Sequence, residues 1–484
     1  MHDRLDPIIA VSTAPGRGAV GVVRLSGKDL RAFAWALLKK PLRPRQAEFL
    51  KIRDEEGDLI DEVLFLYFES PKSYTGEDVI EIQGHGGAMV LERIVKHCFD
   101  LAKRIDQETN NELLNHLRLA RPGEFSERAF LNGKIDLFQA EAIIDLIDAS
   151  TELAAKSASR SMSGAFSQEI NHLLEEITKA RIFIEAHIDF PEEELDDLDF
   201  RRVDETLATA LETTNKVLKQ TKNGVLLKEG IKAVIAGQPN VGKSSLMNLL
   251  CEQEVSIVTD IAGTTRDFIE KNLQVNGVAI NLIDTAGIHD LGVEMNPVEQ
   301  IGIDRAWSQI KQADLILLVH DASQRDTPEY LKKDEQLMQE VEHFAKDAPI
   351  LHIWNKNDLL SETSNESPRQ RESQRNSTRD DQVFISIKNH SGVDDMKAKI
   401  LAMAGWSEPD EGGLYIARTR HVQVIEDVRS HLSTSQMLTR GEHRNLELVA
   451  EELRLGQNRL SEITGEFTAD DLLGEIFSKF CIGK

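Results

Sequence analysis

The sequence predicts a multidomain α/β plus α protein: a small N-terminal α/β domain, a helical bundle, and a second α/β domain inserted into that bundle. Three observations predict it. The 484 residues exceed what one hydrophobic core serves, so roughly three domains are expected. Short apolar runs alternate with helical stretches over 228–405, the pattern of a parallel sheet with helices on both faces. Segments with apolar residues at helical spacing stand before and after that stretch.

Residues 1–123 carry short β-rich runs at 18–25, 62–68 and 78–83, with glycine turns such as GHGG at 84–87. The polar, Asn-rich piece 105–116 reads as a loop tip. Residues 124–227 are helical by pattern, with Ile170, Leu173, Leu174, Ile177 and Ile184 on one stripe. PEEELDD at 191–197 reads as an acidic turn or helix start, because Pro suits a first turn and carboxylates suit the positive helix end. Over 228–405 the strand-like runs are 231–236, 278–283, 315–319, 350–354 and 383–387. The Ser-, Asn-, Gln- and Arg-rich tract 361–381 is expected to be a disordered insertion. Residues 406–484 are helical again, with Leu446, Val449, Leu453 and Leu460 on one face.

The hydrophobic fraction of 40% supports sizeable cores, and the formal net charge is -25. Such a charge favours solubility and argues against a chain that grips nucleic acid unaided, since phosphate binding relies on Lys and Arg. A nucleic-acid substrate would need a basic partner or a local patch. The cysteines, Cys98, Cys251 and Cys481, form no CxxC pair, which argues against a disulfide framework or a structural zinc site. Cys98 and Cys251 are expected to be buried small residues. The start, MHDRLDPIIAV, lacks the apolar core of a secretory signal, and no apolar run is long enough to span a bilayer. A soluble cytoplasmic protein with no membrane partner is the expectation.

The chemistry begins with GQPNVGKSS at 237–245, which fits G-x-x-x-x-G-K-[ST] directly after a strand-like run. Glycines there let consecutive amide N–H groups point at phosphate oxygens, and the following helix adds its partial positive end. Lys243 reaches the β and γ phosphates, and the Ser244 hydroxyl ligates Mg²⁺. Asp284-Thr285-Ala286-Gly287 follows the run 278–283. Its Asp binds Mg²⁺ through water and Gly287 offers an N–H to the γ-phosphate. Thr265, in AGTTRD between these motifs, is the second hydroxyl for Mg²⁺. Asn355-Lys356-Asn357-Asp358 follows the run 350–354. A carboxylate there accepts both N1–H and the exocyclic amine of guanine, which adenine cannot satisfy. Ser386-Ile387-Lys388 stands where a backbone N–H reaches guanine O6. The inserted domain therefore reads as a Ras-like P-loop GTPase domain. Ile288 follows DTAG in place of a Gln, so the attacking water needs another group; on spacing alone Glu299 is a solvated helix carboxylate.

Longer motifs carry a family resemblance: APGRGAVGVVRLSG, YTGEDVIEIQGHGG, RPGEFSERAFLNGKIDL, TDIAGTTRD and the terminal FCIGK, together with the guanine-nucleotide set. Across essentially its whole length the chain resembles the MnmE (TrmE) tRNA-modification GTPases. The resemblance implies an N-terminal folate-binding-like domain over 1–123 that dimerises and holds a tetrahydrofolate one-carbon donor (the 5,10-methylene form), with Arg24, Glu81 and Lys134 at the matching positions. Arg and Lys suit the glutamate carboxylates of the folate, and Glu81 suits pterin N–H donors. It implies helical segments at 124–227 and 406–484 around a G domain at 228–405. It adds Asn240, Val241, Gly242, Ser245, Thr259, Asp260, Ile261, Ala262, Gly263 and Thr264 to the GTP contacts. Activation by K⁺ is implied through Asn240, Thr259, Ile261 (by its backbone) and Thr264, in place of an arginine finger. Glu299 then matches the water-orienting Glu; Gln300 follows where Arg is frequent, and the loop 292–297 is slightly longer. Cys481 of CIGK matches a residue of the modification reaction, and Lys484 closes the motif.

The function implied is a K⁺-activated, homodimeric GTP hydrolase. With the flavoprotein MnmG, which carries FAD, it would install an aminomethyl or carboxymethylaminomethyl group at C5 of the wobble uridine in tRNA. The tRNA would bind mainly through that partner. Two rivals are a GTPase switch or assembly factor without RNA chemistry, and a folate-dependent methyltransferase with a vestigial G domain.

Overall fold

The computed structural model describes residues 5–105, 110–189, 197–253, 270–284, 307–345, 348–360, 380–407, 413–440, 445–465 and 470–483. They fall into two units, 1–144 with 461–484, and 145–460.

The first unit is built on the strands β1 (Ile8–Val11), β2 (Val20–Gly27), β3 (Glu48–Arg53), β4 (Leu59–Phe68), β5 (Asp78–His85) and β6 (Arg118–Leu119), in the order β3-β4-β5-β2-β1-β6. Neighbours are antiparallel except β1 and β6. In β4, Val63, Phe65 and Tyr67 are buried while Glu62 and Leu64 are exposed, the period of two that makes a half-covered strand. Helices α1 (Arg31–Leu38) and α2 (Ala88–Ala102) cover the buried face with a core that includes Leu25, Phe33, Ile80, Ile82, Ile94 and Cys98. The opposite face is open beside β3 and β4, where Phe49 is 54% and Leu64 45% exposed. Register aligns Phe49, Leu64, Gln83 and Val22 in one row, and Leu66, Glu81 and Arg24 in the next. Helix α3 (Glu124–Leu131) closes the β1 end, with Phe125 packed on Ile8, Ala10 and Tyr74. Helices α4 (Leu137–Ile147) and α13 (Asp470–Ser478) meet through Leu137, Ala140, Ile476, Phe477 and Phe480.

A buried ion network explains much of the RPGEFSERAF motif. Arg128 reaches Glu77 at 2.9 Å and Glu124 at 3.0 Å, and Arg118 reaches Glu124 at 2.6 Å. Ser26 Oγ donates to Glu77 at 2.8 Å. Burial opposes the charge on Glu124. The hydrogen bonds from Arg118, the Arg121 N–H and Arg128 outweigh it and hold the carboxyl down at about 2.

The second unit contains α5 (Glu152–Met162), α6 (Ala165–Asp189), α7 (Asp197–Glu229), α11 (Thr419–Arg440) and α12 (Leu446–Thr464), the last running to its border. Thr151 caps α5 by accepting from the Ala154 N–H at 3.0 Å. On α6, Ile170, Leu173, Ile177 and Ile184 are buried and Leu174 is half-buried, a stripe at helical spacing. Val449, Leu453 and Leu460 are buried on α12, and Leu446 is half-buried.

The sheet of this unit runs β12 (Gln382–Phe384), β11 (Ile350–Asn355), β10 (Leu315–Asp321), β7 (Ile231–Gly237), β9 (Val278–Asp284), β8 (Glu270–Val275). All seven residues of β10 are buried because helices cover both faces. On one side α8 (Lys243–Gln253) and α10 (Val393–Met403) pack Leu246, Leu250, Met396 and Ile400 against the strands. On the other, α9 (Pro328–Ala345) supplies Leu337 and Val341 beside Trp307 and Ile310. The sheet is mixed where a parallel one is expected, since β8 pairs antiparallel with β9. The two join through Asn276-Gly277, both at positive φ (49° and 87°), a hairpin signal that the polar face of β8 obscures. Cys98 is buried, whereas Cys251 is half-buried instead of fully buried. Residues 191–196 and 361–379 lie outside the described residues. Among those described, no helix is long and apolar enough to cross a membrane.

Candidate functional site

The loop after β7 owes its shape to positions no bulkier residue could fill. Gly242 has φ 103°, and a Cβ there would strike the side-chain amide of Asn355. Asn240 also adopts positive φ, at 62°. Val241 is buried and Ser245 is exposed on the first turn of α8. Lys243 donates to the Gly237 and Gln238 carbonyls at 2.8 and 2.9 Å, so its ammonium lies inside the loop. Burial pushes that ammonium below its ordinary value while Asp284 pulls the other way. Ser244 Oγ donates to Asp284 Oδ2 at 3.4 Å. A hydroxyl and a buried carboxylate so close are a donor pair suited to a hard cation such as Mg²⁺.

The purine end is wired to this loop. Asn355 Nδ2 donates to the Val241 carbonyl at 2.9 Å, and its Oδ1 accepts from the Ile387 N–H at 3.3 Å. Lys356 Nζ donates to the Asn240 carbonyl at 2.9 Å and to Asp321 Oδ2 at 2.6 Å. Ser386 Oγ donates to Asp358 Oδ1 at 2.7 Å, which fixes the plane of that carboxylate. Lys388 is exposed at the rim. The structure thus brings together Asn240 to Ser244, Asp284, Asn355, Lys356, Asp358, Ser386 and Ile387. Thr259, Asp260, Ile261, Ala262, Gly263, Thr264, Thr265, Thr285, Ala286, Gly287 and Glu299 lie outside the described residues, as does Lys484.

Sequence reading missed Asp321. It stands at the end of β10, takes the Lys356 ammonium, and accepts from the N–H and Oγ of Ser323 at 3.0 and 2.6 Å. A strand ending in Asp with Ser two residues on is a capping signal that could have singled it out. Gln238, His320 and Asp334 were missed as well, and no short motif marks them.

In the first unit, Arg24 and Glu81 are register partners on β2 and β5. Arg24 Nε and Nη2 lie 3.0 and 2.8 Å from Glu81 Oε1, with the two side chains 22% and 18% exposed. Expected to serve different ends of one folate, they bind each other, because opposite charges face across adjacent strands. The guanidinium lies 5.8 Å from the Tyr74 ring centre and 5.7 Å from that of Phe125. Its Nη1 donates to the Gly483 carbonyl at 3.5 Å. The Gly123 N–H donates to the Cys481 carbonyl at 3.3 Å, and Pro122 and Ile482 form an antiparallel bridge. Gly123 has φ 68°, and a Cβ there would strike the Phe477 carbonyl. Cys481 is exposed on this segment. Lys134 is also exposed, and its Nζ donates to the Pro71 carbonyl at 3.0 Å.

A glycine loop after the central strand, a lysine inside it and a carboxylate at its purine end define a P-loop nucleotide-binding protein of the guanine-selective kind. The "MnmE helical domain" model matches residues 137–481, and "GTP-binding protein TrmE N-terminus" matches 7–134. The chain belongs to the MnmE family. It is 48% identical over 480 residues to the tRNA modification GTPase MnmE of Paracidovorax citrulli, covering 99% of each chain. Against the protein of the same name from Polaromonas sp. it is 45% identical over 487 residues, again covering 99% of each. Among solved structures, the G domain of the T. maritima FeoB iron transporter is 28% identical. It covers 36% of this chain and 98% of its own, with a TM-score of 0.26. Aquifex aeolicus Era bound to GDP and AlF4⁻ is also 28% identical, covering 44% and 68%, with a TM-score of 0.27.

Proposed function

We propose that this chain is a GTP hydrolase acting in tRNA modification, activated by K⁺ and working with the flavoprotein MnmG at C5 of the wobble uridine. The observation that carries the reading is the Asp358 carboxylate, braced by Ser386, in a loop tied through Asn355 and Lys356 to the phosphate loop. Asp358 selects guanine, Lys243 and the loop N–H groups hold the phosphates, and Ser244 with Thr265 would hold Mg²⁺. Asn240, Thr259, Ile261 and Thr264 would hold K⁺. Bound cations supply charge neutralisation for the departing phosphate. Glu299 would orient the attacking water, and Thr285, Ala286 and Gly287 would follow the γ-phosphate.

The first unit is proposed to hold a tetrahydrofolate at Arg24, Glu81 and Lys134, with Cys481 acting in the modification reaction. A guanidinium facing two aromatic rings, 5.8 and 5.7 Å from their centres, and beside a carboxylate suits a flat ligand bearing both acidic groups and N–H donors. The folate supplies a one-carbon unit. The exposed Phe49 and Leu64 side chains, paired across β3 and β4, support a homodimer through this face, and the charge of -25 supports tRNA binding mainly through the partner.

The test is hydrolysis in K⁺ against Na⁺, alongside wobble-uridine nucleoside analysis in cells carrying Cys481→Ser. Faster turnover in K⁺, with the modification lost and GTPase retained in the variant, is expected. Equal rates in both salts would remove the cation mechanism, and intact modification would remove Cys481 from the reaction.

A further inference from the structure

Behind the phosphate loop lies a polar chain that neither phosphate nor guanine recognition requires. Gln238, the second residue of the loop, donates from its side-chain Nε2 to Asp334 Oδ1 at 2.9 Å and to the Tyr330 carbonyl at 3.2 Å, both on α9. Asp334 Oδ2 lies 2.6 Å from His320 Nδ1, and His320 Nε2 lies 3.0 Å from His352 Nδ1. His320 is 2% exposed and Asp334 9%. The His320 ring lies nearly parallel to two rings of β11, its centre 5.2 Å from that of His352 and 4.5 Å from that of Trp354. Asp334 accepts at both oxygens, from the Gln238 amide and from His320 Nδ1–H, and one proton is shared between His320 Nε2 and His352 Nδ1.

Burying a carboxylate and an imidazole costs desolvation, and apolar residues of similar volume would pack the same space at least as stably. What the polar chain adds is direction. It ends on the residue whose main-chain carbonyl accepts from Lys243 at 2.9 Å. We propose that Asp334 and His320 are positioning residues for nucleotide binding, acting on the phosphate loop through the Gln238 side chain. The carboxylate, its plane set by the stacked imidazole, anchors the Gln238 amide. That anchor orients the peptide carbonyl that holds the Lys243 ammonium where phosphate arrives. The proposal rests on the reading of this loop as a guanine-nucleotide site.

The experiment is a double-mutant cycle on the full-length protein, with GDP titrated calorimetrically into wild type, Gln238→Ala, Asp334→Asn and the double variant. The wild-type titration comes first: no GDP binding there would sink the nucleotide reading itself. Each single variant is expected to weaken GDP about ten-fold, the size of one lost charge-assisted hydrogen bond, and the double variant no further. In steady state the loss should fall on KM for GTP, with kcat changed by no more than about two-fold, because the loop holds phosphate equally before and during reaction. Wild-type affinity in Gln238→Ala, or losses that multiply in the double variant, would overturn the relay. If Asp334→Asn does not fold, Asp334→Glu, which moves the carboxylate by one methylene, takes its place in the cycle with the same two outcomes.

Discussion

At the residue scale, Asp358 is the sharpest lever. Its carboxylate is fixed by Ser386 at 2.7 Å. Asp358→Asn would set an amide donor against the N–H donors of guanine and leave buried groups unpaired. We expect GDP affinity to fall about 100-fold, on the order of 3 kcal/mol, by calorimetry. Unchanged affinity would dissociate this carboxylate from base reading. Glu124 is a lever on stability. Its folded value is depressed from 4.5 to about 2, so its contribution is full above pH 4.5 and is lost as pH falls toward 2. The side chain is 1% exposed, and the shift corresponds to about 3 kcal/mol. Glu124→Gln should flatten the acid limb of unfolding in that window. An unaltered acid limb would mean that the Arg118–Glu124–Arg128 cluster does not drive it.

At the scale of elements, the strands and helices that repeat cleanly were legible, and those defined by partners were not. The stripe on α6 and the unbroken apolar run of β10 announce themselves, because periodicity records which sides are covered. The phosphate loop and the Asn355–Asp358 motif were legible for a related reason: few residue types satisfy their geometry. By contrast β8 is a polar edge strand whose place depends on its hairpin with β9. Asp321, His320 and Asp334 gain meaning only when β10 and α9 meet. The pairing of Arg24 with Glu81 depended likewise on strand register. The β3–β4 row carries its own prediction. Leu64→Glu places a charge on the exposed Phe49–Leu64 pair. If the proposed homodimer forms through this face, light scattering should show a dimer for wild type and a monomer for the variant, with GDP affinity intact. A dimer that survives would move the self-association elsewhere.

At the scale of the whole molecule, net charge bears on the proposed encounter with tRNA. With 57 basic against 82 acidic residues, the chain repels a polyanion at long range. Fluorescence binding at physiological salt should therefore show weak tRNA affinity for this chain alone and a marked gain when the proposed flavoprotein partner is added. Tight, strongly salt-dependent binding by the isolated chain would place the RNA surface here. The net charge is legible in the composition, whereas where the basic residues gather is a property of folding.

The carbonyls of Asn240 and Val241 are gripped by Lys356 and Asn355 from the purine side. Two short tethers leave little mechanical play between the ends of the pocket. A small molecule lodged under the NKND turn would be felt by the triphosphate cradle with no rearrangement of the sheet, so an inhibitor of turnover need carry no phosphate mimic at all.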